Sequence, residues 1–216
     1  MILWSGNTRG PIAPAGRYSV RLVAGDAAAQ TQSFTLKNDP RSTATAADLV
    51  AQFEFLIQVR DKTSEANNAV RTIRNLRAQV EDRVTKAPRL RRNADALLTA
   101  LAAVEQEVYQ VRNQSSQDPL NFPVKLNNKI AALSGVVSSG PYRPTDQAGA
   151  VYTELSGLLK VQTDRLDRII REDLARFNRQ VRGSGQALIV PSTDLPTPAP
   201  GPAMDGTLHD AEKPAA

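Results

Sequence analysis

Two pairs of carboxylates fall at helical spacing in this chain of 216 residues. Asp61 and Glu65 stand four residues apart, and Asp164 and Asp167 stand three apart. Either pair would place two acids on one helix face. Glycoside hydrolysis uses two such acids, one to protonate the leaving oxygen and one as base or nucleophile. The neighbours argue for a plainer role. Lys160–Asp164, Asp164–Arg168, Asp167–Arg171 and Glu172–Arg176 alternate in sign at four-residue steps. That is the pattern of a solvated face, whose pairs contribute about 0.2–0.5 kcal/mol each. Asp61 and Glu65 lie among Arg60, Lys62, Asn67 and Asn68, a polar belt that serves equally to set the register of a long helix.

A second chemistry would use cations. Arg71, Arg74, Arg77, Arg83, Lys86, Arg89, Arg91 and Arg92 crowd one segment whose only acids are Glu81 and Asp82. Arg71 and Arg74 share a helix face and Arg77 continues it, a stripe that could meet duplex phosphates or an anionic membrane surface. No aromatic residue interleaves with these arginines, so base stacking has no platform. Arginine stems covering aliphatic neighbours explain the stripe as well, and nucleic acid is not the expected partner.

Other chemistries lack their residues. The single histidine, His209, lies in a Pro- and Ala-rich stretch that cannot hold it as an oriented base or metal ligand. With no cysteine, disulfides, thiolate catalysis and Cys-based zinc sites are excluded. Gly183-Ser184-Gly185 follows a helical pattern where a phosphate loop would precede one, so it reads as a helix stop. No cofactor and no metal are expected.

The elements that would carry these groups are mainly helical. Aromatics make up 5% of the chain, against 41% hydrophobic residues overall, which favours helices packed by aliphatic side chains. Residues 1–40 read as β. Tyr18, Val20 and Leu22 alternate onto one sheet face, Gly25-Asp26 turns the chain, and Phe34 and Leu36 return on the buried face. Trp4 suggests one more strand. A lone hairpin is marginal in water, so these strands are expected to belong to a β-domain with further strands elsewhere.

Thr45 or Ser42 can cap the helix that follows Asp39-Pro40. Leu49, Phe53, Leu56, Val59, Thr63, Ala66, Val70, Ile73, Leu76, Val80 and Val84 then recur at steps of three and four, predicting one helix from Ala46 to about Lys86. A second helix runs from about Leu90 to Asn113, with Leu97, Leu101, Val104, Val108 and Val111 as its seam. A third spans about Val124 to Ser138 with Leu126, Ile130, Leu133 and Val137 inward. A fourth spans about Thr145 to Arg182, with Val151, Leu155, Leu158, Gln162, Leu166, Ile169 and Phe177 inward. Short connections make successive helices antiparallel neighbours. The expected fold is mainly α: an antiparallel three- or four-helix bundle over 44–183, behind a partial β segment over 1–40. The Pro- and Ala-rich residues 184–216 are expected to be disordered.

The loop between the second and third helices is the remaining candidate. Asp118 before Pro119 and Asn121 before Phe122-Pro123 can bond local backbone groups. Leu120 and Phe122 are expected to plug the end of the bundle, and Asn127 and Asn128 to satisfy loop carbonyls. These six residues, with Arg71 and Arg74, are interaction or structural candidates; no residue is assigned a catalytic role.

Four segments together carry a resemblance. Pro14-Ala15-Gly16-Arg17-Tyr18-Ser19-Val20-Arg21-Leu22 resembles the closing hairpin of the immunoglobulin-like domain of flagellar hook-capping proteins and many bacterial surface proteins. With Asn38-Asp39-Pro40-Arg41, the segment from Arg60 to Arg74 and the loop from Gln117 to Leu133, in that order, the chain resembles over about residues 4–182 the C-terminal end of large bacterial β-propeller proteins. These are the sortilin-like or BNR-repeat glycosyl hydrolases. The resemblance implies an immunoglobulin-like origin for the hairpin and an exported or cell-surface setting. In that family the propeller lies upstream and carries any activity. No Asp-box of the form Ser-x-Asp-x-Gly-x-Thr-Trp occurs here, so no catalytic residue carries over.

The expected function is a non-catalytic accessory or interaction module, the C-terminal fragment of such a protein. The alternatives are a glycan-hydrolase-associated domain with a weak carboxylate site and a basic-stripe binder. The expected partner is protein, either the upstream propeller and immunoglobulin-like part or a second copy met through an exposed hairpin. No apolar run is long enough to cross a bilayer. Met1-Ile2-Leu3-Trp4-Ser5-Gly6 lacks the basic and apolar regions of a signal peptide, so the chain as given is expected to stay in the cytoplasm.

Overall fold

The computed structural model describes Ile2 and residues 10–194, and it is mainly helical with one two-stranded antiparallel hairpin. Trp4 and His209, on which two of the expectations above rest, lie outside the described residues.

The hairpin joins β1 (Gly16–Leu22) to β2 (Gln30–Leu36). Its register sets Tyr18 opposite Phe34 and Gly16 opposite Leu36. Strand alternation therefore gathers Tyr18, Val20, Leu22, Phe34 and Leu36 on one face and leaves Arg17, Ser19, Arg21, Thr31, Ser33 and Thr35 on the other. The Tyr18 and Phe34 rings stack 6.0 Å apart. The shared face matches the alternation in the sequence, but its burial does not. Val20, Leu22, Phe34 and Leu36 are all exposed. Among the described residues, neither of the two hydrophobic clusters contains a hairpin residue.

The helices begin with α1 (Ala46–Lys86), 41 residues long and so about 60 Å from end to end. It starts where it does because Thr45 and Asp48 form a reciprocal capping box. It ends at Ala87, where Pro88 opens a short 3₁₀ turn (Pro88–Leu90) leading directly into α2 (Arg91–Val108). α2 is shorter than its apolar pattern predicts. Tyr109 takes extended angles (φ −133°, ψ 139°), so Val111 leaves the seam and is exposed, while Leu97, Leu101, Val104 and Val108 are buried as expected.

α3 (Leu126–Val137) buries Leu126, Ile130, Leu133 and Val137. Gln52 of α1 donates to the carbonyls of Val137 and Gly140, both at 2.7 Å, and so caps the end of α3. α4 (Asp146–Ile169) starts at a Thr45-like cap, Thr145, and passes through a π-helical turn (Ile170–Leu174) into α5 (Ala175–Gly183). The α1 stripe packs with the inner faces of α2, α3, α4 and α5 in one continuous core. A smaller cluster joins Leu56, Val137 and Ala148 where α1, α3 and α4 meet.

The inward face of α4 differs from the sequence expectation. Val151 and Leu158 point outward, and the buried set is Ala148, Leu155, Leu159, Leu166 and Ile169. Leu158 and Leu159 are adjacent apolar residues, so periodicity alone does not choose between the two phases. The π turn then adds one residue to the repeat. Ile169 and Leu174 are five apart, the spacing of i→i+5 bonding, and beyond it Leu174, Phe177 and Val181 return to the core.

The stretch expected to be disordered from residue 184 is ordered through Asp194. Ile189 is buried in the main core, because side chains of α1 and α5 bond the backbone around it. The remainder of that stretch, 195–216, lies outside the described residues.

The phase of α4 is directly testable. Leu159 is 0% exposed and Leu158 48%. Leu159→Ala is expected to lower the urea-unfolding free energy by about 2–5 kcal/mol, and Leu158→Ala to stay within about 0.5 kcal/mol. Equal losses would contradict the observed phase.

Candidate functional site

The strongest electrostatic feature is one that sequence reasoning did not select. Glu105 of α2 is only 2% exposed, on the edge of the seam formed by Leu101, Val104 and Val108. A carboxylate this buried requires charge partners. Arg74 donates from Nε to one carboxylate oxygen at 2.7 Å, and Arg77 from Nη1 to the other at 2.8 Å. The Arg74 guanidinium also lies 4.7 Å from the centre of the Tyr109 ring. Burial works against the Arg74 cation, but the hydrogen bond and charge of Glu105, with Tyr109 behind them, outweigh it and raise its pKa. Both arginines keep part of their side chains in solvent. Each oxygen of Glu105 already accepts a charged donor, so the group works as a clamp between α1 and α2.

This geometry alters the basic stripe. Arg74 and Arg77 both turn to Glu105, whose single negative charge offsets one of their two. Arg83 pairs with Asp82 and donates to the carbonyl of Ala187. Lys86 also pairs with Asp82, and Arg91 with Glu81 and Asp95. Arg89 donates to the carbonyl of Gly183. Arg71, one turn before Arg74, is exposed and stands apart from the clamp. The sequence shows the cations readily. It shows the acid poorly, because Glu105 looks like a polar residue beside the seam. The available signal is its position four residues after Leu101 and three before Val108.

The loop candidates are brought together, mostly as structure. The Asp118 carboxylate accepts the backbone N–H groups of Gln114 at 2.5 Å and Ser115 at 2.8 Å, and the Ser115 hydroxyl at 2.7 Å. These bonds, led by the Ser115 backbone, hold its pKa below the usual carboxylate value. The Asp118 carbonyl accepts the backbone N–H groups of Asn121 and Phe122. The Phe122 ring lies 4.0 Å beneath the Arg112 guanidinium.

Two loop expectations need correction. Leu120 does not plug the helices; it is 73% exposed, because the Asp118-centred turn directs it outward. Asn127 is buried, yet its amide donates to Asn67 of α1 at 3.2 Å, where a loop carbonyl was expected. Asn128 is buried beside it. Tyr109, Gln110, Asn113, Val124, Lys125, Asn127 and Asn128 line a crevice of about 10 Å³. That is room for about one water molecule.

The acid pairs do not converge. Asp61 is exposed and paired with Arg60 at 2.7 Å, while Glu65 turns to Lys62 at 2.6 Å. The Glu65 hydrogen bond raises the Lys62 pKa. Asp164 pairs with Lys160 on the exposed face of α4. Among the described residues no three His, Cys, Asp or Glu side chains gather as a metal site, and no helix is long and apolar enough to cross a membrane.

Compared with protein-family models, curated proteins and solved structures, the chain matches none of them.

The clamp carries its own test. Glu105→Ala leaves two arginines facing a desolvated gap and is expected to lower stability by about 1–3 kcal/mol in urea. Arg71→Ala is expected to change it by less than about 0.5 kcal/mol. A neutral Glu105→Ala would contradict the clamp.

Proposed function

We propose that this chain is a non-catalytic accessory module, an antiparallel helix bundle with the two closing strands of an immunoglobulin-like domain at its head. On this reading it is the C-terminal part of a propeller-type, glycosyl hydrolase-like protein. Its partner is the β-domain whose strands cover the hairpin.

The observation that carries the reading is the uncovered apolar face of the hairpin. Val20, Leu22, Phe34 and Leu36 share that face and are all exposed. Antiparallel sheets commonly bury one face and solvate the other, and this pair of strands is patterned for that arrangement. A second feature points to the type of sheet. The Tyr18 hydroxyl donates to the carbonyl of Pro14, four residues upstream, at 2.7 Å. A tyrosine near a strand start that bonds upstream backbone is a mark of immunoglobulin-type sandwiches. The bundle arrangement draws support from the single core shared by α1, α2, α3, α4 and α5 and from the short turn at Pro88. The dispersal of the acid pairs supports a role outside catalysis.

Detection in native cells, with an antibody against the helical part, tests this reading. The module is expected on a polypeptide much heavier than 23.4 kDa, or in a complex that survives native electrophoresis and is lost in the Val20→Asp/Phe34→Asp double variant. A free monomer of 23.4 kDa would contradict the reading, and so would glycoside turnover by the purified full chain that Glu65→Gln abolishes.

A further inference from the structure

We propose that the groove between α1 and α5 is a binding site for an extended peptide, and that residues 186–194 of this chain occupy it in cis. This site is separate from the hairpin and does not depend on the role proposed for it.

The segment is delivered by a tight helix stop. Gly185 takes φ +76°, a left-handed angle that suits glycine, and its N–H bonds the Arg182 carbonyl at 3.0 Å. The chain then runs along α1 without helix or strand structure of its own. Side chains from two helices bond its backbone. Asn178 of α5 grips Ile189 with both ends of its amide: Oδ1 accepts the Ile189 N–H and Nδ2 donates to the Ile189 carbonyl, both at 2.9 Å. Gln79 of α1 grips Val190 in the same way, accepting its N–H at 3.2 Å and donating to its carbonyl at 2.8 Å. In an extended chain the N–H and C=O of one residue point to one side and those of the next residue to the other. Two amide clamps from two helices on consecutive residues match that alternation. Asn75 and Arg83, one turn to either side of Gln79 on α1, donate to the carbonyls of Asp194 at 2.6 Å and Ala187 at 2.8 Å.

The side chains define the ligand class. Ile189 alone is sunk, 2% exposed, while Leu188 and Val190 are exposed. The site therefore reads backbone at most positions and one branched aliphatic side chain at its centre. Pro191 has no N–H and leaves none unbonded after the clamps. With the segment removed, water would reach the Asn178 and Gln79 amides and would also wet the apolar notch that Ile189 fills, and it is the wetting of the notch that is unfavourable. A peptide of the same form supplied by another protein would fill it and satisfy the amides. The tether holds the cis segment at an effective concentration of order millimolar, so a partner must outcompete it.

The test uses the full chain with Ile189→Asp, which removes the cis anchor, and a fluorescent synthetic peptide of residues 186–194. Anisotropy is expected to show saturable binding to Ile189→Asp and at least tenfold weaker binding to the wild type. Binding is expected to be lost on adding Asn178→Ala, or when the peptide itself carries Ile189→Asp. Should Ile189→Asp lose its helical circular dichroism, Val190→Pro serves in its place. It deletes the N–H that Gln79 accepts at an exposed position, and it too is expected to admit the peptide. A folded variant that binds no peptide, or binding indifferent to Asn178→Ala, would overturn the proposal and leave the segment a structural strap.

Discussion

The helical part of the molecule depends on covering one apolar stripe along α1. A helix of 41 residues gains little from its own hydrogen bonds in water; tertiary packing of its apolar face supplies most of its stability. The stripe from Leu56 to Val84 is buried throughout. α3 and α4 meet it near Leu56, and residues of α2, α3, α4 and α5 join the rest of it in the main core. Ile189 joins the same core from the segment that follows α5. Each polar feature of note lies at an edge of this stripe. Glu105 bridges it to α2 through Arg74 and Arg77, Asn127 to α3 through Asn67, and Asn178 with Gln79 to the C-terminal segment. We read the Glu105 clamp as a register device: a buried ion pair is weak evidence of added stability, and its best-attested use is to favour one alignment over its neighbours.

The same stripe explains what could be read from residue order. The stripe of α1, its start at Thr45 and its end before Pro88 follow from periodicity and capping chemistry, and so does the burial of Leu126, Ile130, Leu133 and Val137 in α3. The hairpin face follows from strict alternation. The failures lie where two choices have equal local cost. Leu158 and Leu159 offer two phases for α4, and the decision comes from packing against α2 and α3. Val111 keeps the seam spacing, but the backbone has already left the helix at Tyr109. The π turn at Ile170 adds a residue that no single-period pattern contains. Glu105 and the clamp amides Asn178 and Gln79 were invisible for a different reason. Their role depends on partners 11 to 111 residues away, and nothing in their immediate neighbours marks them.

The basic stripe looked like a surface for anions, yet most of its cations turn to Glu105, Asp82, Glu81, Asp95 or helix-end carbonyls. The loop around Asp118 looked like a plug, yet it is a self-bonded turn with Leu120 outward. Of the surfaces proposed for interaction, the hairpin face remains open.

Among the described residues none covers the apolar face of the hairpin, where Val20, Leu22, Phe34 and Leu36 are exposed. Two strands with one apolar face in water are marginal, whereas amides in the middle of α1 and α2 open only with the core. Amide hydrogen exchange on the isolated full chain separates these directly. The account predicts that β1 and β2 amides exchange orders of magnitude faster than those around Ile73 and Leu101. Hairpin amides as slow as the core would show a β unit complete in itself and would contradict it.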